Sequence, residues 1–135
     1  ILGKGKMQYI AKEAALKFKE ITYIHTEGYG GSSLKHGPFA LLTKNTPVIF
    51  IIDSENIDKM YNSYEEVKSR GCPCIILSNI QNKNDLDNYI LVPTNNNFQE
   101  ILFISALQLL SYHLSCYKNM NPDKPRNLAK VVTVD

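Results

Sequence analysis

From Met7 onward, apolar residues recur at three- and four-residue steps, at Ile10, Ala11, Ala14, Phe18 and Ile21. This spacing predicts one helix over Met7 to about Ile24. The Gly- and Ser-rich stretch from Thr26 to Pro38 breaks the period and reads as a loop. Pro47 to Ile52 is a short, continuous apolar run rich in β-branched residues, the pattern of a strand covered on both faces. Ser54 offers an N-cap to a second helix, with Ile57, Met60, Tyr64 and Val67 as its apolar stripe and Gly71 as its end. Cys74 to Ser78 reads as a second buried strand. A polar loop over Asn79 to Asn88 leads to a third short strand at Tyr89 to Val92. Thr94 to Asn97 is another loop, and Phe98 to Lys118 a long helix that is apolar nearly all round.

Strands that alternate with helices, each strand a continuous apolar run, imply an α/β fold with a three-layer parallel sheet flanked by helices. The last stretch, Asn119 to Asp135, carries Pro122 and Pro125 and lacks a helical stripe, so it is expected to be an extended tail. The all-apolar helix is more than one small lobe should bury, and is expected to pack against a further lobe or a dimer partner.

A length of 135 residues suits one compact domain. With 44% apolar and 21% charged residues, disorder is excluded. A net charge of +2 spread along the chain leaves no footprint for nucleic acid. The uncharged run from Ile101 to Tyr117 is interrupted by Ser105, Gln108, Ser111 and His113, so it reads as a buried helix and not a membrane span. Cys72, Cys74 and Cys116 lack zinc-site spacing and are expected to be buried, reduced thiols in a cytoplasmic protein, with no metal or other cofactor. Ile1-Leu2 ahead of Gly3-Lys4-Gly5, with neither an initiator Met nor a signal-like segment, reads as the end of a strand in a longer polypeptide.

Three places could carry chemistry. On a helix advancing about 100° per residue, Glu13, Lys17 and Glu20 fall within an arc of about 60° beside the apolar stripe, while Lys12 and Lys19 point away. Such a row is either an exposed ion-pair ladder or a cleft edge where a carboxylate serves as a general base. The loop Glu27 to Pro38 combines glycines, which allow close approach of a ligand, with Ser hydroxyls and a titratable His36, yet it also suits a plain connector. His25 and His113 are expected to be packed on helical faces. In the tail, Lys130 lies between Ala129 and Val131-Val132. An amine held among apolar groups loses basicity and can attack a carbonyl, or it can extend its head to solvent. Arg126 is one of two arginines.

Leu2-Gly3-Lys4-Gly5, Ala11 to His25 and Leu34-Lys35-His36-Gly37-Pro38 together resemble a sugar isomerase (SIS) domain. The ending from Lys124 to Asp135 narrows the resemblance to the isomerising glutamine–fructose-6-phosphate aminotransferases, or glucosamine-6-phosphate synthases. The resemblance implies the second SIS subdomain over residues 1–118, followed by a tail over 119–135 that covers an active site. It implies an enzyme that makes glucosamine 6-phosphate from fructose 6-phosphate and glutamine. In that enzyme an N-terminal glutaminase domain supplies ammonia to two SIS subdomains, and two subunits pair. It further implies Glu20 as the base that moves a proton between C1 and C2, assisted by Lys17 and Glu13. His36, from the neighbouring subunit, would promote ring opening, and Lys130 would form an imine with the open ketose. Ala129, Arg126 and the surrounding tail would contact and shield the sugar.

Two positions depart from the family pattern. Ser32-Ser33 replaces a usual Gly-Glu, and Lys4 stands where an Arg is usual and cannot reproduce its bidentate contact. The phosphate-gripping loop of the first subdomain is absent from this sequence, so the 135-residue chain alone is expected to bind the sugar poorly and turn nothing over. A non-catalytic sugar-phosphate-binding SIS module, and another SIS isomerase or deglycase, are the alternatives. The terminal motif bearing Lys130 argues against both.

Overall fold

The computed structural model describes residues 1–82, 86 and 88–128. In chain order the elements are β1 (Leu2–Gly3), α1 (Met7–Thr22), β2 (Tyr29–Gly30), β3 (Val48–Ile52), α2 (Ile57–Lys68), β4 (Cys74–Ser78), β5 (Tyr89–Leu91) and α3 (Gln99–Tyr117). The five strands pair in parallel in the order β2-β1-β3-β4-β5.

Residues on β3 alternate between two cores. Val48, Phe50 and Ile52 pack with Met60, Tyr64 and Val67 of α2. Ile49 and Ile51 pack with Met7, Ala11, Ala14 and Phe18 of α1, and with Phe103 and Leu107 of α3. All five β3 residues are buried, which is why the run had to be apolar without interruption. The expected three-layer α/β architecture is therefore the one observed, with α1 and α3 on one face and α2 on the other.

Several expectations change in detail. The Thr26–Pro38 loop contains strand β2 and a 3-10 turn at Ser33–Lys35. A two-residue strand is too short to leave a period in sequence. Helix α1 stops at Thr22 because Tyr23 takes a left-handed conformation (φ 56°). His25 therefore lies beyond the helix and is exposed, as is His113 on the outer side of α3. Neither is the packed histidine expected. Ser54 does not cap α2. Asp53 does the local work, its Oδ1 accepting from the Asn56 backbone N–H at 3.1 Å and from Asn56 Nδ2 at 3.2 Å. Of the three thiols only Cys72 is buried; Cys74 is half-buried and Cys116 exposed, because α3 presents it outward. Burial pushes the Cys74 thiol above its usual range, which favours the thiol over the thiolate.

Helix α3 buries Phe103, Leu107, Ser111 and Ser115. It leaves Ile101, Leu109 and Tyr112 about half exposed. Its apolar surface exceeds what the described residues cover. Among the described residues no helix is long and apolar enough to cross a membrane.

Glycines in the loop serve packing before anything else. A Cβ on Gly28 would lie 2.5 Å from the Ala11 carbonyl oxygen and 2.6 Å from Lys12 Cα. Both are backbone atoms that cannot step aside. Gly28→Ala is therefore expected to cost about 1–3 kcal/mol by overpacking, read as a lower midpoint in urea unfolding. An unchanged midpoint would mean that α1 and the loop are not held this closely.

Candidate functional site

Three and four residues on a helix return to one face, and here that geometry gathers Glu13, Lys17 and Glu20. Lys17 Nζ lies 2.9 Å from Glu20 Oε2 and 3.6 Å from Glu13 Oε1. Side-chain exposure falls along the row from 44% at Glu13 through 32% at Lys17 to 26% at Glu20, so Glu20 is the best shielded carboxylate. The hydrogen bond to Glu20 raises the Lys17 pKa against the opposing effect of burial. Lys17 is thus an ammonium at neutral pH. A raised pKa means its stabilising contribution is complete there and is lost only as pH climbs through the raised value. Chemically, the row is a carboxylate steered by a fixed cation, able to accept a proton while its orientation is held.

The chain returns to this end of α1 after α3. Lys118 Nζ donates to the Thr22 carbonyl at 2.9 Å, satisfying one of the free carbonyls of the last turn. Arg126 donates its backbone N–H to the Tyr23 hydroxyl at 2.9 Å. Its guanidinium lies 4.2 Å from the centre of the Tyr23 ring. Arg126 is thus brought to the helix that carries Glu20, where its visible partner is an aromatic ring. Ala129 and Lys130 lie outside the described residues.

His36 is not brought to the row within this chain. Leu34 beside it is buried in the core on the α2 face, and Lys35 Nζ pairs with Glu66 of α2 at 2.6 Å. Phe39 and Leu42 pack against the same core. The segment bearing His36 and the helix bearing Glu20 therefore belong to opposite faces of the sheet. His36 itself is exposed.

Lys4 and Ser32 meet each other. Lys4 Nζ donates to Ser32 Oγ at 2.8 Å, at the rim of a polar cleft of about 280 Å³ that also involves Lys59, Ser63 and Glu66. A larger groove of about 780 Å³ is mainly apolar and is lined by Phe18, Leu34, Leu42, Val48, Leu110 and Leu114, among others. Neither cavity is lined by the Glu13–Lys17–Glu20 row, which the described residues leave partly exposed. Among the described residues no group of three or more His, Cys, Asp or Glu side chains is placed to hold a metal.

Sequence reasoning passed over Tyr23, Thr22 and Lys118. An aromatic residue where a helix would normally end on Gly or Asn carries no periodic signal. Its role is visible only once the tail is seen folded back.

The family model for the SIS domain matches residues 1–117. The chain is 46% identical over 137 aligned positions to a probable glutamine--fructose-6-phosphate aminotransferase [isomerizing] of Acanthamoeba polyphaga mimivirus, an alignment covering 100% of this chain and 23% of that protein. Among solved structures it matches the C-terminal domain of glucosamine-fructose-6-phosphate aminotransferase from Francisella tularensis with TM-score 0.80 and 37% identity, over 91% of this chain and 36% of that one. It also matches glucosamine-6-phosphate deaminase from Thermotoga maritima with TM-score 0.75 and 25% identity, over 98% of this chain and 39% of that one. The chain spans about a quarter of the length of the curated relatives it matches, 23% for the mimivirus protein.

Proposed function

Because this chain belongs to the SIS domain family, we propose that it is the second isomerase lobe and tail of an enzyme making glucosamine 6-phosphate from fructose 6-phosphate and glutamine. The observation that carries this reading is the return of the C-terminal segment to Thr22 and Tyr23, at the end of the helix that bears the Glu13–Lys17–Glu20 row. The match to aminotransferases along the whole chain supports it.

In this reading His36 relays a proton to open the sugar ring. The Lys130 amine then adds to the C2 ketone and water leaves, giving an imine. Ammonia adds to C2 of that imine and the Lys130 amine leaves, so that an unsubstituted imine stands at C2. Glu20 then takes a proton from C1 as the bonding pair moves into an enamine and the imine nitrogen is protonated. It returns the proton to C2 while the C1 hydroxyl gives up its proton and becomes the aldehyde. Lys17 holds the Glu20 carboxylate in place through the whole transfer, and Glu13 balances the ammonium from its other side. Arg126 and Ala129 belong to the segment that closes over the sugar.

The reading also assigns what this chain does not contain. A first SIS subdomain grips the phosphate, a glutaminase domain releases ammonia, and the enzyme works as a homodimer in the cytoplasm. The placement of His36 on the face opposite Glu20 supports its delivery from a second subunit. The apolar side of α3 that the described residues leave exposed supports a lobe or subunit packed there.

The deaminase likeness favours a second reading, an amino-sugar phosphate deaminase. One variant tests the first reading. Lys130→Ala in the whole protein is expected to lower glutamine-dependent formation of glucosamine 6-phosphate about a hundredfold or more. Unchanged synthesis would overturn the assignment. Ammonia release from glucosamine 6-phosphate with no synthesis in the unaltered protein would favour the deaminase.

A further inference from the structure

We propose that Tyr23 is a positioning residue, which fastens the C-terminal segment to the end of α1 that carries Glu20. The inference rests on the reading of Glu20 and Lys130 given above and adds the device that brings them together.

Tyr23 holds a left-handed backbone conformation, φ 56° and ψ 22°, directly after the last residue of α1. Gly or Asn normally occupies such a position, because a bulky side chain there costs about 1 kcal/mol or more. The phenol at this corner is used twice by a single residue 103 positions away. Its hydroxyl accepts the Arg126 backbone N–H, and its ring carries the Arg126 guanidinium. A bond to the backbone selects a position along the tail, and the cation over the ring adds to it in an exposed setting. One residue earlier, the Thr22 carbonyl is taken by Lys118. The two contacts clamp the start and the middle of the returning segment to adjacent residues of α1.

The consequence is a short tether. Lys130 is four residues beyond Arg126 in the sequence, a length of chain that spans at most about 13–14 Å. Glu20 is three residues before Tyr23, about one helical turn, or about 5 Å, along the axis. Without the Tyr23 contact, the nearest preceding backbone hydrogen bond from the tail to α3 among the described residues is that of Met120, whose N–H donates to the Ser115 carbonyl at 3.0 Å. The free run to Lys130 then grows from four residues to ten. Effective concentration falls as about the −3/2 power of tether length, which predicts about a fourfold loss from length alone. Loss of direction at the anchor adds to that.

The test uses the whole protein with two variants. Tyr23→Asn keeps a residue suited to the left-handed conformation and removes ring and hydroxyl. Tyr23→Phe keeps the ring and removes only the acceptor. Two readouts are followed: the rate of tryptic cleavage at Arg126–Asn127, and the yield of fructose 6-phosphate covalently fixed on Lys130 by borohydride, whose hydride reduces the imine to a stable amine.

Tyr23→Asn is expected to speed cleavage about tenfold and to lower both the trapped yield and kcat about four- to tenfold, with KM for glutamine unchanged. Tyr23→Phe should fall between it and the unaltered protein. Cleavage at the unaltered rate in Tyr23→Asn overturns the anchor. Faster cleavage with full trapping overturns the positioning role alone. No trapping on Lys130 in the unaltered protein overturns the reading of Lys130 and the positioning role with it. The cleavage readout then still reports whether Tyr23 holds the tail.

Discussion

Glu20→Gln in the whole protein is expected to lower kcat for glucosamine 6-phosphate formation about a thousandfold, while KM for fructose 6-phosphate stays near its original value. Proton transfer by a positioned base contributes about 10²–10⁴ in rate, and Gln has no basic oxygen to accept the C1 proton. The substitution preserves shape and leaves an acceptor oxygen for Lys17, which now stands 2.9 Å from the carboxylate. A loss in kcat would therefore report chemistry and not a collapsed helix surface. Glu13→Gln serves as the internal comparison. Glu13 is more exposed and stands 3.6 Å from Lys17, so its loss should cost far less. Exchange of the C1 proton with solvent, followed by NMR, would locate the defect at the transfer step. A Glu20→Gln protein within tenfold of the unaltered rate would remove Glu20 from the role of base.

The second large effect concerns the scaffold. Phe50→Ala is expected to cost about 3–5 kcal/mol of folding stability. Phe50 is fully buried at the centre of the sheet, in register with Leu2 on one side and Ile76 on the other. Its ring meets Tyr64 of α2 edge-on, with centroids 5.6 Å apart. Removing it leaves a cavity between three strands and a helix that cannot all move inward. Domains of this size are stable by only about 5–15 kcal/mol, so the loss is a large fraction of the whole. Urea unfolding with an unchanged m-value would measure it. A change below about 1 kcal/mol would mean that this core collapses around the gap, contrary to close packing.

Legibility in the sequence followed the size and regularity of each element. Strand β3 showed itself because a strand buried on both faces must be apolar at every position, and β4 because Cys74 to Leu77 is an unbroken apolar run. Helix α1 and its charged row showed themselves because three- and four-residue spacing is a property of the helix and needs no tertiary contact. Strands β1 and β2 are two residues each, shorter than any pattern, and β2 was read as part of a loop. The glycines of that loop suggested room for a ligand, yet Gly28 is required by the backbone of α1 and Gly31 would meet Met60 Sδ at 2.8 Å. The exposed Cys116, His25 and His113 were misjudged for one shared reason: which side of an apolar helix faces outward, or where a helix stops, is settled by neighbours.

What the residues determined alone was local. The α/β class, the grouping of Glu13, Lys17 and Glu20, and the resemblance carried by the Leu34–Pro38 and Lys124–Asp135 motifs all follow from order along the chain. Tertiary structure decided the relations between distant parts. It placed the His36 segment and the Glu20 helix on opposite faces of one sheet, joined Lys4 to Ser32, and folded Arg126 back onto Tyr23 across 103 residues. A periodic pattern records which side of an element is apolar, because that depends on a few neighbouring residues. The partner that covers that side is selected by packing the whole chain at once, and no short stretch of sequence records that choice.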